Sequence, residues 1–276
     1  MATDLNDVIN GIWHGSIDLH VHASPDPVAS RRYDAVDLAT AAREAGMRGF
    51  IFKSHEYPTV AAAYILTKLI PRIEVFGAIS LDDEVGGLNP QALEASAKMG
   101  ARKVWMPTFS AQHWHRWRLN TGGGMTIFAE DGKMLPVVDD ILSLVKQYGM
   151  ILGTGHLSTE EQLALVKEAR RRDIKTVVTH ADFWIPVDAQ VEMARLGAYI
   201  EHAFIALTGF PTRSTAAEIA AAIRAAGPGR SILSTDLGQA QNVAPPEGLR
   251  VFIATMLAEG FAPAEVEQMV KQNPSE

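Results

Sequence analysis

The alternation of apolar and polar positions along the chain repeats one unit eight times. Short, nearly continuous apolar runs fall at 17–21, 49–52, 74–79, 103–106, 150–153, 176–179, 198–202 and 231–234. Between them lie segments whose apolar residues recur at helical spacing, at 35–45, 60–69, 91–99, 137–148, 160–171, 189–196, 215–225 and 249–259. Strands that are apolar on both faces and alternate with helices make a parallel sheet covered by helices. Eight such pairs in 276 residues predict an α/β fold, a (β/α)8 TIM barrel closed on itself rather than an open sheet. Ser158 followed by Glu161 is a capping-box pattern at a helix start. Gly46, Gly100, Gly149, Gly197 and Gly227 each follow a helical run, where a left-handed cap is expected.

One connection breaks the repeat. The segment 107–135, after the fourth strand, is long and holds Gly122, Gly123 and Gly124. Its second half reads as a hairpin turning at Asp131-Gly132. In a barrel this loop lies where active sites are built, so a lid or pocket wall is expected. An extra helix is expected over 263–271. No linker or composition shift divides the chain, so 1–276 is expected to form one domain.

Composition narrows the chemistry. The net charge is -7, and the 25 Lys and Arg are scattered, which argues against a nucleic-acid partner. The N-terminus lacks the pattern of a signal peptide, and no apolar run approaches a membrane span. The expectation is a cytoplasmic protein without a membrane partner, acting on a small molecule and assembling as a homo-oligomer. There is no cysteine, which excludes disulfides, thiolate metal sites and a Cys nucleophile. Nine histidines stand against that zero, several of them at strand ends.

In Ile17-Asp18-Leu19-His20-Val21-His22, a period of two puts His20 and His22 on one face with Asp18 beneath them. Two imidazoles at a strand end chelate one metal ion. His156 follows the fifth strand, His180 ends the sixth and Asp236 ends the eighth. In a barrel these ends converge on one mouth. Imidazole nitrogen and carboxylate oxygen suit zinc, with manganese or iron as alternatives, one or two ions per chain.

This pattern resembles the amidohydrolase superfamily of metal-dependent hydrolases over about residues 17 to 260. The resemblance implies that His20, His22, His156, His180 and Asp236 hold metal. More narrowly, the stretches 52–59 and 234–239, with Asn273-Pro274, resemble an uncharacterised amidohydrolase-like branch. The expected reaction is hydrolysis of an amide, lactone or ester bond by metal-activated water. Asp236 would accept the water proton, His180 or His202 would face the developing oxyanion, and Asp18 would orient a first-strand imidazole.

The chain also departs from that family. Its fourth strand, Val104-Trp105-Met106-Pro107-Thr108, carries neither the bridging Lys nor the Glu of two-metal members. Lys53 ends the second strand instead, available as a bridging carbamate or as a charged partner of a carboxylate. His55, just beyond it, resembles a metal-binding His of the polymerase-and-histidinol-phosphatase barrels. A metal-dependent phosphoesterase is therefore one alternative. A metal-free barrel lyase or aldolase with Lys53 as Schiff-base nucleophile is another, and a non-catalytic binding protein a third. Arg31 and Arg32 are candidate carboxylate clamps. Glu201 and Trp105 are further candidates for contact with substrate, and Trp105 and Trp184 for pocket walls.

Overall fold

The computed structural model describes residues 4–210 and 213–276. Its eight strands are β1 (Ile17–Val21), β2 (Gly49–Phe52), β3 (Glu74–Ser80), β4 (Lys103–Trp105), β5 (Ile151–Gly153), β6 (Thr176–Val178), β7 (Tyr199–Ala203) and β8 (Ser231–Ser234). They pair in sequence order, every pair parallel. The ring closes just past β8. Asp236 N donates to His20 O and His22 N to Leu237 O, both at 2.8 Å. This is the (β/α)8 barrel that the apolar pattern predicts.

Each strand is followed by a helix, from Ala35–Glu44 to Pro245–Ala258, and the helix Leu5–Trp13 precedes the first strand. The capping box at Ser158 and Glu161 is formed, and Gly149 caps its helix at a φ of 61°. Among the described residues, no helix is long and apolar enough to cross a membrane.

Two apolar layers set the strands' orientation. Ile51, Ala78, Trp105, Val177 and Ile232 cluster inside the ring. Phe50, Phe52 and Leu233 pack outward against the helices. Trp105 is completely buried. It is not a pocket wall, as the sequence suggested, but a plug beneath the barrel mouth. Its ring lies 5.3 Å from that of His20, with Lys103 Nζ 4.1 Å and Lys53 Nζ 5.0 Å from its centre. Gly153 on the neighbouring strand makes room for it, because a Cβ there would sit 2.7 Å from Trp105 Cδ1.

β1 departs from simple alternation. Its register with β2 shifts between Asp18 and Val21, so a bulge re-aims the residues that follow. Leu19 belongs to the interior cluster, yet His20 also reaches the interior. Asp18 consequently does not lie beneath the imidazoles. Its Oδ1 accepts from the backbone N of His20 and Thr235, both at 3.1 Å, and its Oδ2 from Thr235 Oγ1 at 2.6 Å. The carboxylate satisfies amide groups at the bulge and ties β1 to the end of β8. The expected role as an imidazole acceptor falls instead to Glu201.

The long segment after β4 folds back over the mouth. A helical turn, Gln112–Trp114, opens it. Phe128 and Met134 then pair antiparallel, with Ala129 N donating to Lys133 O at 2.8 Å. Glu161 anchors it, its Oε1 accepting from Thr126 Oγ1 at 2.6 Å and Ile127 N at 3.0 Å.

Candidate metal centre

At the C-terminal end of the barrel, one oxygen gathers two imidazoles. His20 Nε2 and His22 Nε2 each lie 3.1 Å from Asp236 Oδ1. One ligand atom from each of the three residues falls within 4.8 Å of the others. Asp236 takes a φ of 51° at the turn after β8, which aims its carboxylate back at β1. The structure thus joins three of the predicted ligands, with His22 and Asp236 214 residues apart in sequence.

His20 is oriented for this task. Its Nδ1 lies 3.3 Å from Glu201 Oε1, so Nδ1 carries the hydrogen and Nε2 keeps its lone pair. The same Glu201 oxygen accepts from Ser234 Oγ at 2.8 Å, and Oε2 accepts from His180 N at 3.0 Å. Glu201 is fully buried and positions the centre from below, rather than touching substrate as the sequence reading expected. Lys53 Nζ stands 3.1 Å from His20 Nε2. Burial lowers its pKa to about 8, against the raising influence of Asp236, Asp82 and Glu201. Burial raises Asp236 to about 7, offset by Lys53.

His55 lines the same cavity, fixed by a relay that sequence reasoning missed. Its Nδ1 is 2.6 Å from Thr108 Oγ1, and the Thr108 hydroxyl donates to Asp82 Oδ2. A hydroxyl has one proton to give, so His55 Nδ1 is the donor and Nε2 holds the lone pair. Asp82 also accepts from Thr108 N at 2.7 Å and Ser110 N at 2.9 Å. The one sequence signal was an acid just past β3 and a Thr just past β4, both at the mouth end.

His156 and His180 border the cavity beside the trio, their rings 4.8 Å apart and that of His180 5.9 Å from His20. Both Nδ1 atoms are buried without a hydrogen-bond partner among the described residues, a costly state unless something binds there. Burial depresses His20, His22, His55 and His156 well below the usual imidazole range, with Lys53 or other nearby cations and imidazoles adding to it. His180 falls to about 3, chiefly by burial. All five are therefore neutral at pH 7, the form that ligates metal. Neutral imidazoles, one shared carboxylate and orphaned nitrogens in one cavity fit a divalent ion.

Other predicted residues lie elsewhere. β7 turns Glu201 inward, so its neighbour His202 faces the other way. His202 Nδ1 bonds Asp182 Oδ1 at 2.8 Å, and the residue does not border the cavity. Its expected oxyanion role is therefore not available. Arg32 is displaced too, donating to the backbone oxygens of Asn242 and Ala240, where it straps the loop after β1 to that after β8. Arg31 does border the cavity. Aromatic residues not singled out for this role, Phe109, Trp114 and Phe183, complete the wall. A larger cleft of roughly 360 Å³ at the opposite end of the barrel, lined by Arg48, Phe76 and Arg102 among others, contains no histidine. Chemistry rather than size identifies the site.

Comparison with known proteins follows the fold. A family model described as a family of unknown function, DUF6282, matches residues 15–201. The search of curated proteins finds no match. Among solved structures, an amidohydrolase from Pseudomonas aeruginosa is similar with a TM-score of 0.68 at 11% identity, over 97% of this chain and 96% of that one. The probable dipeptidase PvdM from the same organism gives 0.65 at 10%, over 98% and 97%. A mutant organophosphorus hydrolase from Deinococcus radiodurans gives 0.61 at 13%, over 95% and 91%. At these identities the likeness is one of fold.

Proposed function

The chain belongs to the DUF6282 family, and from that premise we propose that it is a metal-dependent hydrolase of the amidohydrolase type, acting on an amide, lactone or ester bond of a small molecule. The observation that carries this reading is the convergence of His20 Nε2 and His22 Nε2 on Asp236 Oδ1, 3.1 Å from each. The fold shared with an amidohydrolase and a probable dipeptidase supports it.

His20, His22 and Asp236 would hold the ion, with His156, His180 and His55 available beside them. Zinc suits this nitrogen and oxygen set best, with manganese and iron as alternatives. When bound, such an ion supplies Lewis-acid polarisation of a carbonyl and makes water more acidic. The chain's own groups do the rest. Glu201 keeps the His20 lone pair aimed at the centre, and Thr108 does the same for His55. Asp236, also near the ion, accepts the proton of the attacking water and returns it to the leaving atom as the carbonyl bond to that atom breaks. The aromatic wall keeps bulk water from the reacting atoms.

The test is turnover of a panel of small amides, lactones and esters, before and after chelation, beside Asp236→Asn. Hydrolysis that disappears on chelation, returns with zinc or manganese and falls at least a hundredfold in the variant is the expected result. Hydrolysis that survives both treatments would overturn the reading.

A further inference from the structure

Two stacks of rings frame the cavity, and their outer ends have no part in holding an ion. Phe109 stacks on His55 with ring centres 3.8 Å apart and planes 15° apart, and His55 on His22 at 5.0 Å and 18°. Phe183 stacks on His180 at 4.4 Å and 24°, and His180 on His20 at 5.9 Å and 26°. Trp114 closes the gap, 4.6 Å from His156. An ion needs only the inner members of each stack. The outer members offer apolar ring surface to whatever lies above it.

The space is small. The cavity measures roughly 100 Å³, whereas a dry cavity of roughly 150 Å³ takes benzene. By that comparison a single ring already exceeds the enclosed space, so a bound ring stands partly in the open mouth, with its substituent at the edge. At that edge stands Arg31, whose side chain is 4% exposed. Asp26 Oδ2 holds Nε at 2.7 Å and Nη2 at 2.6 Å, and Nη2 also lies 3.4 Å from His22 Nδ1. Nη1 makes no hydrogen bond to any described residue. A buried guanidinium fixed along one edge, with a free donor on another, is preorganised for an anion. A carboxylate conjugated to a ring lies in the ring's plane and adds little thickness, unlike a tetrahedral phosphate.

We propose that this site takes a small, flat, unsaturated ring bearing one carboxylate, with the ring against Phe109 and Phe183 and the carboxylate on Arg31. This rests on reading the cavity as the reaction site, and places the bond to be hydrolysed on or beside the ring, toward Asp236.

Equilibrium binding followed by tryptophan fluorescence tests it, using Trp114 as reporter. The probes are benzoate, cyclohexanecarboxylate, benzamide and phenyl phosphate, each on the zinc-loaded and the chelated protein. Benzoate is expected to bind at least tenfold more tightly than each of the other three, with and without zinc. Arg31→Gln is expected to weaken benzoate at least tenfold and leave benzamide within twofold, with Arg31→Lys falling between. Cyclohexanecarboxylate or phenyl phosphate binding as well as benzoate would overturn the proposal, as would an unchanged benzoate affinity in both Arg31 variants. Metal content of the same samples separates the two readings. Failure of benzoate selectivity in protein that retains zinc removes the ligand class alone. Arg31-dependent benzoate binding by protein that takes up no ion removes the hydrolase reading and leaves the ligand class standing.

Discussion

His55 Nδ1 donates to Thr108 Oγ1 across 2.6 Å, because the Thr108 hydroxyl has given its single proton to Asp82. That relay fixes which imidazole nitrogen faces the cavity, without any change at the imidazole itself. Thr108→Val keeps the shape and removes the acceptor. The expected outcome is a loss of about 10- to 100-fold in metal affinity or turnover, the range seen when such an outer partner is removed. A chelator competition assay reads the first quantity, and Thr108→Ser should restore most of it.

Glu201 bears more than one duty, so its variants should separate. Glu201→Gln keeps size and one acceptor oxygen, and is expected to weaken metal binding without unfolding the barrel. Glu201→Ala leaves His20 Nδ1, His180 N and Ser234 Oγ without their acceptor, and Lys53 and Lys103 without a buried counter-charge. Breaking a buried charge network of this kind costs about 3–5 kcal/mol. Glu201→Gln removes the same charge, so both variants should lose stability in urea, and Glu201→Ala should lose more because a cavity and three unpartnered donors are added.

Trp105 and Gly153 are expected to act as a unit. Trp105→Ala empties the centre of the barrel and should cost about 3–5 kcal/mol. Gly153→Ala places a methyl 2.7 Å from the indole, and overpacking of this sort costs about 1–3 kcal/mol. Combining Gly153→Ala with Trp105→Leu should recover part of the second loss. Strict additivity in denaturant unfolding would contradict the contact.

Arg31 and Arg32 are adjacent but face different tasks. Arg32→Ala removes a strap to the backbone at 240 and 242, so loop protection in hydrogen exchange should fall there while ligand and metal affinity stay within twofold. A loss of metal or ligand affinity comparable to that of an Arg31 variant would show that Arg32 reaches the site.

These pairs also explain what was legible in the sequence. The eight strands could be read because each is a short apolar run after a helix, and five of the helices stop at a glycine. His20, His22 and Asp236 could be read because position at a strand's C-terminal end is enough to place a side chain at the barrel mouth. Facing was harder. Glu201 and His202 are neighbours, and only the register of β7 decides which of them points inward. Asp18 was misplaced because a bulge in β1 leaves no mark in an apolar alternation. Trp105 was assigned to the wall because an interior-facing position near a strand end does not reveal its depth. The relay through Thr108 and the ring stacks of Phe109 and Phe183 depend on loops meeting from different strands, and local pattern carries no information about such meetings.

The central claim is that His20, His22 and Asp236 together hold a divalent ion. Its most direct test is the metal content of protein purified without added metal, for the parent chain and for His20→Ala, His22→Ala and Asp236→Asn, each first shown to be folded by circular dichroism. One or two equivalents of zinc, manganese or iron in the parent and less than a tenth of that in the His variants is the expected result. A folded parent that contains no metal and takes up none on dialysis against zinc or manganese, or His variants that retain the parent's full complement, would contradict the claim.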